Sequence, residues 1–303
     1  MLCQPESIIF LSRNLKLSAH LYAPSADAPS RAGAAIIIAH PWTSIKEQSP
    51  ANYARLLSAA GFTCLTYDAA YQGASDGQPR HLEDPAQRVE EIKNAVTYLS
   101  NRHGIDPTKI GVLGICAAGG YACFAAQTDV RLRAVATVSA ACVGTLTRRG
   151  LEKDSPASEA LRMQLELAAK DRSGEGEIPP VQMLPERFED LPAECPAAMR
   201  DFASYYCTAR GFHPRAEGLC LPRSWDLMAN FEAFRFNAMI SPRPLLMVVG
   251  EKAVSRWFSE EAVGLASEPK EVFVVEGSTH ADLYDRVEVA GGKMVEFFGE
   301  YLV

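Results

Sequence analysis

The chain of 303 residues is 48% hydrophobic and 22% charged, the composition of a folded domain with a sizeable core, which excludes the disordered and fibrous classes. Thirty Lys and Arg stand against thirty-seven Asp and Glu, a net charge of −7 without blocks of one sign, so no basic stripe is available for nucleic acid. No apolar run approaches the ~18 residues of a membrane span, and Met1-Leu2-Cys3-Gln4-Pro5 lacks the start of a signal peptide. No membrane partner is expected, and the expected location is cytoplasmic.

In chain order, Ser7 to Leu11 and Leu15 to Tyr22 are predicted as an antiparallel pair at a sheet edge. Ala34 to Ala39 is a continuous apolar run, as a parallel strand buried on both faces requires. Tyr53, Leu56, Leu57 and Ala60 recur at helical spacing ahead of Gly61, which predicts a helix over Ser49 to Ala60. A strand at Phe62 to Tyr67, a helix at Asp84 to Arg102, a strand at Ile110 to Ile115, a small-residue helix from Cys116 to about Gln127 and a strand at Ala134 to Ser139 continue the alternation. Such βαβ repetition predicts an α/β fold, a mostly parallel sheet with helices on both faces.

From Val143 to Arg223 the pattern turns to polar helix-like stretches broken by the run Gly174 to Pro180 and by prolines at 185, 192, 196, 214 and 222. Positions 143–223 are therefore expected to form an inserted helical cap, with 1–142 and 224–303 as the core. Strands resume at Pro244 to Val249 and Glu271 to Val275, and an amphipathic helix over about Val287 to Tyr301 closes the chain.

Eight cysteines occur, none in a Cys-x-x-Cys pair or beside metal-spaced histidines, so no metal and no cofactor is expected. One of them stands apart. Gly114-Ile115-Cys116-Ala117-Ala118-Gly119-Gly120 sits where a strand must turn sharply into a helix, the pattern of a nucleophile elbow with cysteine at its apex. That turn exposes Cys116 at the C-terminal end of its strand and at a helix N-terminus, whose partial positive charge favours thiolate. The base that a cysteine nucleophile needs is expected in Gly277-Ser278-Thr279-His280, after the last strand and on the same sheet edge. Oxyanion donors are expected from the backbone N–H of Ala117 and from the loop His40-Pro41-Trp42-Thr43, with Trp42 the first choice and Thr43 the second; His40 is expected to be structural.

The runs His40-Pro41-Trp42, Lys46-Glu47-Gln48, Tyr67-Asp68 with Gln72-Gly73, Pro79-Arg80, the Cys116 turn with Tyr121, and Thr279-His280 with Leu283-Tyr284-Asp285 resemble the dienelactone-hydrolase-like branch of the α/β-hydrolases. Within it they are most similar to the group that includes the fumagillin polyketide transferase and hydrolases of fungal polyketide clusters. The resemblance covers nearly the whole chain outside the cap. It implies an α/β-hydrolase fold and acyl chemistry on esters, lactones or thioesters in secondary metabolism. The cysteine nucleophile is shared with dienelactone hydrolase.

One position departs from the pattern. Where related proteins place an orienting aspartate after the strand Pro244 to Val249, this chain reads Gly250-Glu251-Lys252-Ala253-Val254-Ser255. Glu251 is the nearest carboxylate, with Asp226 and Asp282 as alternatives. A cysteine tolerates a missing acid better than a serine, because its unperturbed pKa is only about 8.5.

The expected function is hydrolysis of an ester, lactone or thioester through an acyl-cysteine. The partner would be a small-molecule acyl substrate, free or carried as a thioester. Transfer of the acyl group to an alcohol or amine uses the same residues, and a ligand-binding protein without turnover is the alternative of another class. Thr43, Tyr205, Tyr206 and Trp225 are the expected pocket residues, roofing Cys116 from the cap and its junctions.

Overall fold

The computed structural model describes residues 4–153, 158–174 and 178–303. β1 (Glu6–Ser12) and β2 (Leu15–Tyr22) form the antiparallel edge. β3 (Ala35–Ala39), α1 (Ser49–Ala59), β4 (Thr63–Tyr67), α2 (Pro85–Ser100), β5 (Ile110–Ile115), α3 (Ala117–Thr128) and β6 (Leu132–Val138) follow in alternation. Next come α4 (Val143–Arg149), α5 (Ser158–Ser173), the two-residue strand β7 (Val181–Gln182), α6 (Ala197–Tyr206), its partner strand β8 (Leu219–Cys220) and α7 (Ser224–Ala229). β9 (Leu245–Gly250), α8 (Arg256–Gly264), β10 (Lys270–Val275), the four-residue α9 (Asp282–Asp285) and α10 (Glu288–Leu302) complete the chain.

Eight strands make one sheet in the order β1-β2-β4-β3-β5-β6-β9-β10, antiparallel at β1-β2 and β2-β4 and parallel everywhere else. This is an α/β-hydrolase fold. The central strands are buried along their whole length because each face carries a helical layer. Ile37, Val112 and Met247 point into a cluster with Val89, Ile92 and Val96 of α2 and Tyr121 of α3. Ile36, Ile38, Leu113 and Ile115 point the other way, into a cluster with Tyr53 and Leu57 of α1 and Met294 and Phe298 of α10. The alternation of neighbours between two cores is what turns an uninterrupted apolar run into a two-sided strand. Local signals support the helices: Asp84 caps α2 by accepting the Ala86 and Gln87 N–H groups, with Pro85 at its first position.

The elements read from periodicity form close to their expected bounds. Periodicity does not reach α8 or α9, which are too short to repeat an apolar face more than once or twice. Because six strands run parallel, their C-terminal ends lie along one edge, and His40, Asp68, Cys116, Ser139, Glu251 and the loop leading to His280 all emerge there. Among the described residues no helix is long and apolar enough to cross a membrane.

The turn from β5 into α3 depends on the absence of a side chain at Gly114. A Cβ there would sit 2.2 Å from the Ala118 carbonyl oxygen and 2.6 Å from its carbon, backbone atoms that cannot move aside. Gly114→Ala is expected to lower stability by more than ~2 kcal/mol, read as a drop in the urea midpoint. An unchanged midpoint would mean that the turn is not closed as described.

Candidate active site

Cys116 is the one residue between β5 and α3, and it takes φ 56° and ψ −120°, a backbone region that L-residues rarely enter. Three hydrogen bonds hold it there. Its N–H donates to the Val138 carbonyl at 2.9 Å, and its own carbonyl accepts from Gly119 N–H at 2.9 Å and Ala141 N–H at 3.0 Å. The turn places Cys116 at the end of the sheet as a half-buried residue, while Cys64, Cys123, Cys142 and Cys220 are buried. Burial pushes the Cys123 and Cys220 thiols up to about 12.

His280 is fully buried and is held on every side. Ser139 Oγ donates to its carbonyl at 3.1 Å. Asp201 of α6 accepts from Thr279 Oγ1 at 2.7 Å and from Ala281 N–H at 3.1 Å, one residue to either side. Phe202 packs edge-on against the imidazole at 4.9 Å. Gly250 lets this loop lie on the end of β9, since a Cβ there would be 2.3 Å from the Ser278 carbonyl oxygen. The ring makes two polar contacts: Nδ1 with Ser255 Oγ at 2.5 Å and Nε2 with the Tyr284 hydroxyl at 2.9 Å. Burial alone lowers its pKa to about 3, so the imidazole is neutral across the physiological range.

The expected acid is corrected by this geometry. Glu251 is exposed, and its Oε2 accepts the Gly277 N–H at 2.8 Å. The chain turns over 251–254 and brings Ser255, at the start of α8, back beneath the ring. Neither alternative carboxylate reaches the imidazole. Asp226 pairs with Arg172, and Asp282 accepts the Thr279 N–H at 3.1 Å and pairs with Arg210 and Arg286. A neutral hydroxyl thus occupies the place where a carboxylate was expected.

The helix N-terminus acts on the thiol in the expected direction, through the Ala117 N–H, but burial outweighs it. Burial pushes the Cys116 thiol above its ordinary value, and the Tyr284 hydroxyl and the Ala117 N–H pull it only part of the way back; Glu83 adds to the rise and Arg88 opposes it. Tyr206 is the other titratable group within electrostatic reach of the sulfur. No hydrogen bond joins His280 directly to Cys116 among the described residues; the Tyr284 hydroxyl lies against both.

Opposite the thiol, the loop after β3 is braced by buried charge. Lys46 Nζ meets Asp68 Oδ2 at 2.7 Å, and the Lys46 N–H donates to Asp68 Oδ1 at 2.8 Å. His40 has a structural place: its Nε2 accepts the Ala69 N–H at 2.9 Å, and burial together with Arg88 holds its pKa well below the ordinary value. Within the loop Thr43 takes φ 58°, costly for a β-branched residue. Ala117, as the first residue of α3, has an N–H that no carbonyl of the helix can satisfy.

A cavity of about 530 Å³ opens beside this loop, lined by Thr43, Met183, Tyr206, Phe212, His213 and Leu219 among others. Of the expected pocket residues, Thr43 and Tyr206 line it. Tyr205 is buried behind Tyr206, 5.1 Å from the Tyr284 ring, and Trp225 lies in the core beneath α7, so neither borders the cavity. Tyr205 and Tyr206 are consecutive on a helix, ~100° apart, and it is Tyr206 that faces the cavity. Among the described residues no group of three or more His, Cys, Asp or Glu is arranged to hold a metal ion.

Three residues of the site escape a search for nucleophile, base and acid. Ser255 carries no signal of its own, since a serine after a strand has many ordinary uses. Tyr284 carries a usable signal, lying four residues after His280 on the short helix α9 that follows the histidine loop. Asp201 carries none, since its partners are distant in sequence.

Residues 36–291 match the model of the alpha/beta hydrolase family. The chain is 35% identical to protein YcjY of Escherichia coli over 95% of each chain. It is 27% identical to the polyketide transferase grgF of a Penicillium species over 90% of each chain. The crystal structure of hypothetical protein PA2218 from Pseudomonas aeruginosa superposes with a TM-score of 0.89 at 32% identity, covering 99% of this chain and 94% of that one. The fold, the strained Cys116 turn and these similarities agree: the chain belongs to the alpha/beta hydrolase family.

Proposed function

We propose that the protein is an enzyme that cleaves an ester, lactone or thioester through an acyl-cysteine on Cys116. The observation that carries this reading is the strained turn that stands Cys116 at the sheet's C-terminal edge, with His280 buried and neutral on the same edge. With Nδ1–H donating to Ser255, Nε2 is free to take a proton, and the thiol loses its proton only as attack proceeds. The sulfur adds to the acyl carbon, and the oxyanion is met by the Ala117 N–H and by an N–H of the Trp42–Thr43 loop. Collapse expels the leaving group with the proton returned from His280, and water then releases the acid. The segment 143–223 acts as the cap, and an acyl group, free or delivered as a carrier-bound thioester, would lie in the cavity past Thr43 and Tyr206.

Acyl transfer in place of hydrolysis is the second reading, favoured by relatives named polyketide transferase and acyltransferase. It requires only that an alcohol or amine reach the acyl-cysteine before water. One experiment addresses both readings: intact-protein mass spectrometry after exposure to activated esters and thioesters. An acyl adduct mapping to Cys116 and absent in Cys116→Ala is expected, and its loss to water or to an added acceptor separates hydrolysis from transfer. Undiminished turnover by Cys116→Ala would overturn the reading.

Two further outcomes are expected. Because burial raises the Cys116 thiol, its alkylation by iodoacetamide should keep accelerating as pH rises past the ordinary thiol range of about 8.5; a plateau below pH 7 would contradict a protonated resting thiol. Tyr206→Ala should shift kcat/KM toward longer acyl chains by about tenfold while leaving a short activated ester little affected. Tyr205→Ala should instead lower stability, as the loss of a buried ring does. An unchanged chain-length profile in Tyr206→Ala would remove the cavity from the acyl path.

A further inference from the structure

Among the described residues no hydrogen bond joins the base proposed for this enzyme directly to the proposed nucleophile. Tyr284 is a partner of both: its hydroxyl is 2.9 Å from His280 Nε2 and also interacts with the Cys116 thiol. Its position is fixed from several directions. The residue is fully buried. Its N–H donates to the Ala281 carbonyl at 3.1 Å. Asn52 Nδ2 donates to its carbonyl at 3.0 Å, and the Tyr53 hydroxyl donates to the preceding carbonyl, that of Leu283, at 2.7 Å, so α1 pins the backbone of α9. The ring is packed edge-on against Tyr205 at 5.1 Å and against the His280 ring at 5.5 Å. A side chain held in this way cannot swing out without unpacking α6 from α9.

We infer that Tyr284 is a catalytic residue that carries the proton between Cys116 and His280. The inference rests on the reading of those two residues as nucleophile and base. As the sulfur attacks, the S–H proton passes to the Tyr284 oxygen while the Tyr284 O–H proton passes to His280 Nε2. One proton leaves the thiol, one arrives on the imidazole, and the tyrosine ends as it began. On collapse the path reverses: Nε2–H returns its proton to the Tyr284 oxygen, and the proton Tyr284 then holds goes to the leaving group. Burial pushes the Tyr284 hydroxyl well above its ordinary value, so a free phenolate is disfavoured and the two transfers must be concerted. As the S–H proton leaves, the Tyr284 O–H that forms faces the sulfur and stabilises the negative charge developing there during attack. This ties a neutral resting site to a reactive sulfur without a carboxylate.

The test compares Cys116 acylation by a p-nitrophenyl ester, followed by mass spectrometry, in the parent, Tyr284→Phe, His280→Ala and the double variant. Tyr284→Phe keeps the ring packing and should slow acylation by at least ~100-fold. His280→Ala should cost a similar amount, and the double variant should be no slower than about threefold below the slower single variant, because both changes cut one path. The pH at which iodoacetamide alkylates Cys116 should also move upward in Tyr284→Phe, a change that lost packing alone would not produce. Acylation within about threefold of the parent in Tyr284→Phe, or losses that multiply in the double variant, would overturn the bridge. If Tyr284→Phe fails to fold, 3-fluorotyrosine inserted at position 284 should shift the alkylation profile to lower pH, and an unmoved profile overturns the bridge. Two failures remain distinct. Acylation that needs Cys116 and His280 but not Tyr284 removes the bridge alone, whereas undiminished turnover by Cys116→Ala removes the nucleophile and the bridge with it.

Discussion

A side chain can stand clear of the end of a buried parallel strand only if the chain reverses into a helix within one residue, and that residue must leave the ordinary backbone regions. Cys116 does so at φ 56°, and the surrounding sequence is shaped by the need to hold it there. Gly114 must lack a side chain to admit the Ala118 carbonyl, and Gly119 must lack one to pass Ala140. The strain is borne by the hydrogen bonds of Cys116 to Val138, Gly119 and Ala141. Thr43 and Ser139, also at positive φ, lie just beyond the ends of β3 and β6. The unusual backbone therefore gathers on both sides of the nucleophile, at the edge where a parallel sheet presents its ligands.

In this fold the charged groups brace the site from around it and do not join the line of contacts through the imidazole. Ion pairs shape the loops: Lys46 with Asp68 braces the chain after β3, Arg210 with Asp285 ties the segment before β8 to α9, and Arg88 lies near Glu83 beneath the nucleophile. The groups in line with the thiol are uncharged at rest, running Ser255, His280, Tyr284, Cys116. A buried imidazolium–thiolate pair without a carboxylate would have to repay the desolvation of two charges, and the low pKa of His280 and the raised thiol of Cys116 both express that cost. Such a site suits cysteine, whose proton leaves more easily than that of a serine hydroxyl.

Much of the scaffold could be read from the sequence because its strands are continuous apolar runs and its longer helices repeat an apolar face. The turn at Cys116 was legible because small residues between a buried strand and a helix permit a sharp, close-packed turn that larger side chains would block. His280 followed from chain order. The partner of its Nδ1 did not, because the expectation was framed in carboxylates and Ser255 is a residue with many ordinary uses. Which of Tyr205 and Tyr206 faces the cavity was not legible, because both fall on the apolar side of α6 and only the packing of Tyr205 against Tyr284 separates them. Asp201, which holds the histidine loop from α6, belongs to contacts that only the folded chain creates.

The account turns on a histidine that is neutral at rest, with its proton on Nδ1 toward Ser255 and a bare Nε2 toward Tyr284. Nitrogen NMR of the protein labelled at histidine, titrated from pH 8 to pH 5 and assigned with His280→Gln, measures this directly. One neutral imidazole with protonated Nδ1 and unprotonated Nε2 throughout the range is the predicted result. An imidazolium forming at pH 6 or above, or a proton resident on Nε2, would contradict it.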